Sequence, residues 1–102
     1  MKLEHRSISA FKKEVLRVIG EHLDLKQYKV FFFGSRVEGK GSERSDIDIG
    51  IEGPKPVPFH AMMEIKEAFG EMPILYKIDV VDFKKVSEEF YEVAKQATEP
   101  IN

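Results

Sequence analysis

The sequence predicts one domain of the α/β or α+β class, a sheet with helices laid on its apolar face. Three observations carry this expectation. Apolar residues recur at helical spacing from Ser9 and again from Phe59. The stretches Tyr28–Phe33, Ile47–Ile51 and Leu75–Phe83 are β-branched or aromatic and strand-like. The two kinds of segment are interleaved along 102 residues, enough for a single modest core.

Each element has its own justification. Phe11, Val15, Val18, Ile19 and Leu23 recur at helical spacing, with Lys12, Lys13, Glu14, Arg17 and Glu21 between them, so the first element is an amphipathic helix. Tyr28–Phe33 follows as a buried strand that stops at Gly34. Ile47, Ile49 and Ile51 alternate with Asp46, Asp48 and Gly50, which makes a second strand with one apolar face. Pro54, Pro56 and Pro58 forbid regular pairing and mark a loop. Phe59–Met72 is the next helix, with Met62, Ile65, Phe69 and Met72 along one side, and Met62, Met63, Phe69 and Met72 read as core. Leu75–Phe83 is a third strand, with Ile78 and Val80 on one face and Asp79 on the other. Ser87 caps a last helix through Phe90, Val93 and Ala94 that ends near Pro100, its lysines and glutamates from Lys84 to Lys95 facing solvent.

Composition narrows the class. Hydrophobic residues at 42% and charged residues at 33% fit a soluble globular protein, and 11% aromatic content argues against disorder. A net charge of −2 gives no support to general nucleic-acid binding. The absence of cysteine excludes disulfides, thiolate metal sites and cysteine nucleophiles. The N-terminal stretch has no apolar signal region and no window approaches a membrane span, so a cytoplasmic location is expected.

The chemistry concentrates in FGSRVEGKGSERSDIDIGIEG, Phe33 to Gly53. Residues two apart on a strand share a face, so Asp46 and Asp48 project together while the isoleucines hold the core. Two carboxylates at ~6–7 Å repel by roughly 2–3 kcal/mol at an effective dielectric near 20. Solvent, a salt bridge to Arg36, Lys40 or Arg44, or a divalent cation could offset that cost. Mg²⁺ suits it best, since it prefers hard oxygen ligands and takes carboxylates together with substrate phosphates. Asp79 supplies a third carboxylate if its strand neighbours the second, and three such acids can hold two metals. Gly34 lets the backbone approach a ligand, successive N–H groups at such a turn form an anion seat, and a following short helix would add positive potential. Ser35 can donate to a phosphate and Arg36 can add charge. The glycine spacing and GKS or GKT of a Walker loop are absent.

Gly34-Ser35, ten residues, then Asp46-Ile47-Asp48 resembles the G-S-x10-D-x-D signature of the polymerase β-type nucleotidyltransferase superfamily. Asp79 in KIDVVDF matches that family's third carboxylate, and the compact size resembles the minimal nucleotidyltransferase branch. The resemblance covers the element order from the first helix to the third strand. It implies an α+β fold, a mixed sheet with helices packed mainly on one face, spanning residues 1–102 as one minimal domain. It further implies Mg²⁺ and transfer of a nucleoside monophosphate, AMP foremost, from ATP or another NTP to a hydroxyl, with pyrophosphate leaving. Carried over, Gly34, Ser35 and Arg36 hold the triphosphate, Asp46, Asp48 and Asp79 bind metal, and Asp79 helps deprotonate or orient the acceptor. Members of this branch are usually encoded beside a HEPN-domain protein, and several act as antitoxins that AMPylate or simply bind a HEPN ribonuclease. One departure stands out: Glu38 occupies a position where the family often has arginine.

Plainer readings compete. A lone D-x-D is commonly the solvent face of an edge strand, and a glycine such as Gly34 most often only ends one. The joint pattern outweighs both. Asp82 falls on the apolar parity of its strand and reads as a turn or cap residue. His5, His22 and His60 lie on separate elements and read as structural or surface. Transfer to a nucleic-acid end is disfavoured by the acidic balance, which leaves an active transferase and a catalytically weak module that masks a HEPN partner.

Overall fold

In the computed structural model, which describes residues 1–3, 6–39 and 46–102, three helices and four strands follow one another along the chain. They are α1 (Ile8–Gly20), β1 (Lys29–Phe33), β2 (Ile47–Glu52), α2 (Phe59–Glu71), β3 (Ile78–Asp82), α3 (Glu88–Ala94) and β4 (Glu99–Pro100). The strands form one mixed sheet in the order β3-β2-β1-β4. β1 runs antiparallel to β2 and β4, whereas β2 and β3 are parallel, joined by the α2 crossover. The fold is α+β.

Strand alternation divides the sheet into two unequal faces. Val30 and Phe32 of β1, the three isoleucines of β2 and Val80 of β3 face the main core, which α1 and α2 cover with Phe11, Val15, Ile19, Ile65 and Phe69. Phe11 stacks on Phe32 with ring centroids 6.0 Å apart. Ser7 caps α1 by accepting the Ala10 N–H, which supplies one of the partners that a helix start otherwise lacks.

The opposite face holds a smaller aromatic cluster of Phe31, Phe33 and Phe83, with Tyr91 and Ala94 of α3 against it. Phe83 packs edge-on against Phe31 and Phe33 at 4.8 and 5.0 Å between centroids. Gly50 makes this possible, because a Cβ there would strike both Phe31 and Phe83. Ser87 caps α3 by accepting from the Phe90 N–H at 3.1 Å. The helix is tied to the sheet through Glu52, which accepts from the Tyr91 hydroxyl and from Lys95 Nζ at 3.0 Å. Burial works to raise the Glu52 carboxyl, but the bonds from Tyr91 and Lys95 outweigh it and hold it below its usual value. Two helices on one face and one on the other match the expected packing mainly on one side.

Several elements differ from the sequence expectation. The third strand begins only at Ile78, and Leu75, placed by the alternation inside it, is 90% exposed. Met63 is exposed rather than core, since it lies off the stripe that places Ile65 and Phe69 inward. Lys95 is no plain surface lysine, because it also lies over the Phe31 ring at 4.8 Å. β4 was not anticipated. Proline at 100 signals a helix end, yet an edge strand tolerates it, and Glu99–Pro100 pairs with Phe32 and Phe31. Ile101 is buried beyond it, and the Asn102 side chain accepts from the Val30 N–H at 2.8 Å.

Asp82 sits on the apolar parity of β3, as the sequence indicates, and is buried there as the last strand residue, its carbonyl accepting the Lys85 N–H of the turn that follows. Its Oδ2 accepts from the buried Val57 N–H at 2.8 Å and its Oδ1 from the Lys84 N–H at 2.9 Å. This one carboxylate locks the proline-rich loop before α2 to the end of β3. Asp82→Ala would leave the Val57 N–H buried without a partner, and a loss of about 2–3 kcal/mol is expected. Urea titration should show a lower midpoint at unchanged slope; an unchanged midpoint would mean that the loop is held otherwise.

Candidate active site

The residues singled out by the sequence lie at one end of the sheet, on the face opposite the main core. Antiparallel pairing sets the end of β1 against the start of β2, with Phe33 opposite Asp48. Parallel pairing sets Asp48 opposite Asp79. Asp48 and Asp79 are therefore side by side on adjacent strands, Gly34 lies just past the end of β1 against Asp48, and Asp46 directly precedes β2. Neighbouring strands lie about 4.8 Å apart, so Asp48 and Asp79 are adjacent carboxylates on one surface. Asp79 is exposed, whereas Asp46 and Asp48 are partly covered. Lys40 and Arg44, named as charge partners for the acids, and His5 lie outside the described residues.

Gly34 is required here twice over. Its φ of +86° is left-handed, a region that side chains other than glycine rarely adopt. A Cβ would also collide with Asp48 Oδ2 and stand 3.1 Å from Asp48 Cγ. The chain thus leaves β1 with its backbone pressed against the Asp48 carboxylate. The residues after it form hydrogen-bonded turns, with no helix there to add positive potential: the Val37 and Glu38 N–H groups both return to the Gly34 carbonyl, at 3.1 and 3.2 Å. Among the described residues the Ser35 hydroxyl has no hydrogen-bond partner. The Arg36 guanidinium lies over the Tyr76 ring at 4.9 Å, which ties this turn to the loop before β3. Glu38 is exposed and borders a small apolar hollow with Phe33, Gly34, Phe90 and Val93.

The electrostatics follow from this crowding. Burial first, then the charge of Asp79, then that of Asp46, raise the Asp48 carboxyl to about 6. Among the described residues no three His, Asp or Glu side chains are gathered around a common metal position. The donor set nonetheless fits a hard cation: three carboxylates share one rim, and their mutual repulsion is what a divalent ion would relieve.

Some features escaped sequence reasoning. Tyr76 carried no signal, because its role depends on a loop contact. His22 and His60 meet on Glu64, at 2.9 and 3.1 Å, which joins the end of α1 to α2 although the sequence separates them.

Two outcomes test this geometry. Gly34→Ala is expected to lower stability by about 1–3 kcal/mol through the strained backbone and to displace Asp48, seen as shifts of the Asp48 and Asp79 side-chain NMR signals; unchanged signals would contradict the close approach. Because the folded Asp48 carboxyl titrates near 6 and the unfolded one near 3.8, the folded state holds the extra proton. Stability in metal-free buffer should therefore fall as pH rises from about 4 to about 6, and Asp48→Asn should remove that fall. An identical pH profile in the variant would show that Asp48 is not the group responsible.

Comparison with known proteins agrees with this layout. Residues 11–101 match the family model described as polymerase beta, nucleotidyltransferase. A protein of Haemophilus influenzae named probable protein adenylyltransferase MntA is 36% identical over 87 residues, covering 83% of this chain and 76% of that protein. Among solved structures, a toxin-antitoxin complex with AMP-PNP superposes with a TM-score of 0.72 at 18% identity, over 89% of this chain and 72% of that one. A tri-AMPylated Shewanella oneidensis HEPN toxin in complex with its MNT antitoxin gives 0.68 at 14% identity, over 93% and 72%. With a glycine turn against an aspartate on the adjacent strand and a third acid in register beside it, the chain belongs to the polymerase β-type nucleotidyltransferase family.

Proposed function

We propose that this protein is a Mg²⁺-dependent nucleotidyltransferase that moves AMP from ATP to a hydroxyl on a HEPN-type partner protein, and so acts as its antitoxin. The observation that carries the proposal is the register of Asp48 and Asp79 beside the Gly34 turn. The relative at 36% identity, whose name is that of a protein adenylyltransferase, supports the same chemistry.

In the reaction the acceptor hydroxyl oxygen forms a bond to the α-phosphorus of ATP. The bond from that phosphorus to the bridging oxygen of the β-phosphate breaks, and pyrophosphate leaves. Gly34 keeps the backbone low enough for the phosphates to approach Asp48. Ser35 donates its hydroxyl to a phosphate oxygen, and Arg36, steadied by Tyr76, adds positive charge. Asp46, Asp48 and Asp79 would hold Mg²⁺, which when bound neutralises developing phosphate charge and polarises the attacking oxygen. Asp79, exposed on the outer strand, orients the acceptor hydroxyl and takes up its proton.

Glu38 favours a second reading. An acid at the phosphate turn opposes nucleotide binding, and Phe90 and Val93 leave an exposed apolar patch next to it, 41% and 65% exposed. On that reading the chain masks its partner without transferring AMP.

Labelled ATP, Mg²⁺ and a HEPN-domain protein of the same source as candidate partner separate the two. Label is expected on the partner with wild type, and at least about a hundredfold less with Asp46→Asn or Asp48→Asn. Suppression of the partner by wild type and variants alike, without label, would instead establish masking. Mg²⁺ at pH 7 is also expected to raise the thermal midpoint of wild type but not of Asp48→Asn; equal shifts in both would remove the metal from this site.

A further inference from the structure

Resting on that reading, we propose that the free edge of β3 docks an extended segment of the acceptor polypeptide by strand addition. The added strand sets a hydroxyl-bearing side chain beside Asp79.

The argument begins with hydrogen-bond parity. β3 is an end strand of the sheet. The Ile47 N–H donates to the Lys77 carbonyl at 2.8 Å, and the Phe83 N–H donates to the Ile51 carbonyl at 2.9 Å. In a parallel ladder these bonds recur every second residue, so the odd-numbered residues of β3 bond to β2. The backbone groups of Ile78 and Val80 point away from the sheet. Among the described residues they bond to nothing, whereas the Asp82 carbonyl is taken by the Lys85 N–H. Natural edge strands are usually shielded by charge, proline or a covering loop, yet Ile78 and Val80 both turn their side chains into the core.

A groove of about 430 Å³ runs along this same edge and contains Asp79. Val57, Phe59 and Met62 form its apolar wall, with Phe59 left 73% exposed, and Lys66 and Lys85 flank it. An added strand would lie about 4.8 Å from β3 with its side chains alternating between faces. One set would fall against Phe59 and Met62. The other would share the surface of Asp79, with partner Cβ atoms about 5 Å apart, within reach of a hydroxyl. The two lysines favour acidic residues in the incoming segment. Unpaired backbone donors and acceptors suit a polypeptide rather than a nucleic acid, and strand addition is an established way of presenting a peptide to a site.

The test is amide hydrogen exchange, read by NMR on this chain alone and with a HEPN-domain protein of the same source as the proposed partner. Exchange at the Ile78 and Val80 amides is expected to slow by at least about tenfold in the complex. The Lys66→Glu, Lys85→Glu double variant should weaken capture of the partner about tenfold while leaving AMP-PNP binding unchanged. Unaltered exchange at both amides would overturn the proposal, even if AMP is transferred. Protection of those amides in the free chain that grows with concentration would also overturn it, by assigning the edge to a second copy. Protection by the partner without any transfer would keep the docking edge and remove the transferase reading instead.

Discussion

The parallel pairing of β2 with β3, in the register that sets Asp48 opposite Asp79, is the constraint on which the rest of the structure depends. It fixes the isoleucines of β2 and Val80 of β3 toward α1 and α2, and by the same two-residue period it fixes the acids toward the other face. A slip of one residue would send the aspartates into the core and the isoleucines to solvent. The α2 crossover covers the apolar side of this pair, and Asp82, bonded to Val57, anchors the loop that enters the crossover. Fold and site are thus two faces of one register.

The acidic rim is held at some cost to the fold. Gly34 adopts a backbone angle closed to most residues and comes against the Asp48 carboxylate. That carboxylate, partly buried and beside two others, gives up its proton only near pH 6. A chain selected for stability alone would have no reason to crowd three acids and a turn that only glycine fits at the end of a small sheet. The arrangement makes physical sense if a cation and phosphates complete it. The apolar remainder of that face, Phe31, Phe33 and Phe83 under α3, is what allows the acids to sit at the rim rather than over the core.

Much of this was legible in the sequence because alternation is a local property. Ile47, Ile49 and Ile51 announced their face, Asp46, Asp48 and Asp79 announced the other, and Asp82 stood out by falling on the wrong parity. Ser87 signalled its cap. What stayed illegible depends on distant contacts. β4 exists because Glu99–Pro100 finds the open edge of β1, which no local pattern encodes. Tyr76 matters through Arg36, which lies 40 positions earlier in the sequence and meets it only in the folded state. The second demand on Gly34, space for a carboxylate, likewise appears only once β1 and β2 are paired.

The central claim is that the Gly34 turn and the acids of β2 and β3 form one site for a metal-bound nucleotide. Paramagnetic broadening by Mn²⁺ with AMP-PNP, followed by NMR residue by residue, tests it most directly. Saturable broadening centred on Gly34, Ser35, Asp46, Asp48 and Asp79 is the result expected. Broadening that spares those residues, or that gathers at His22, His60 and Glu64 instead, would contradict it.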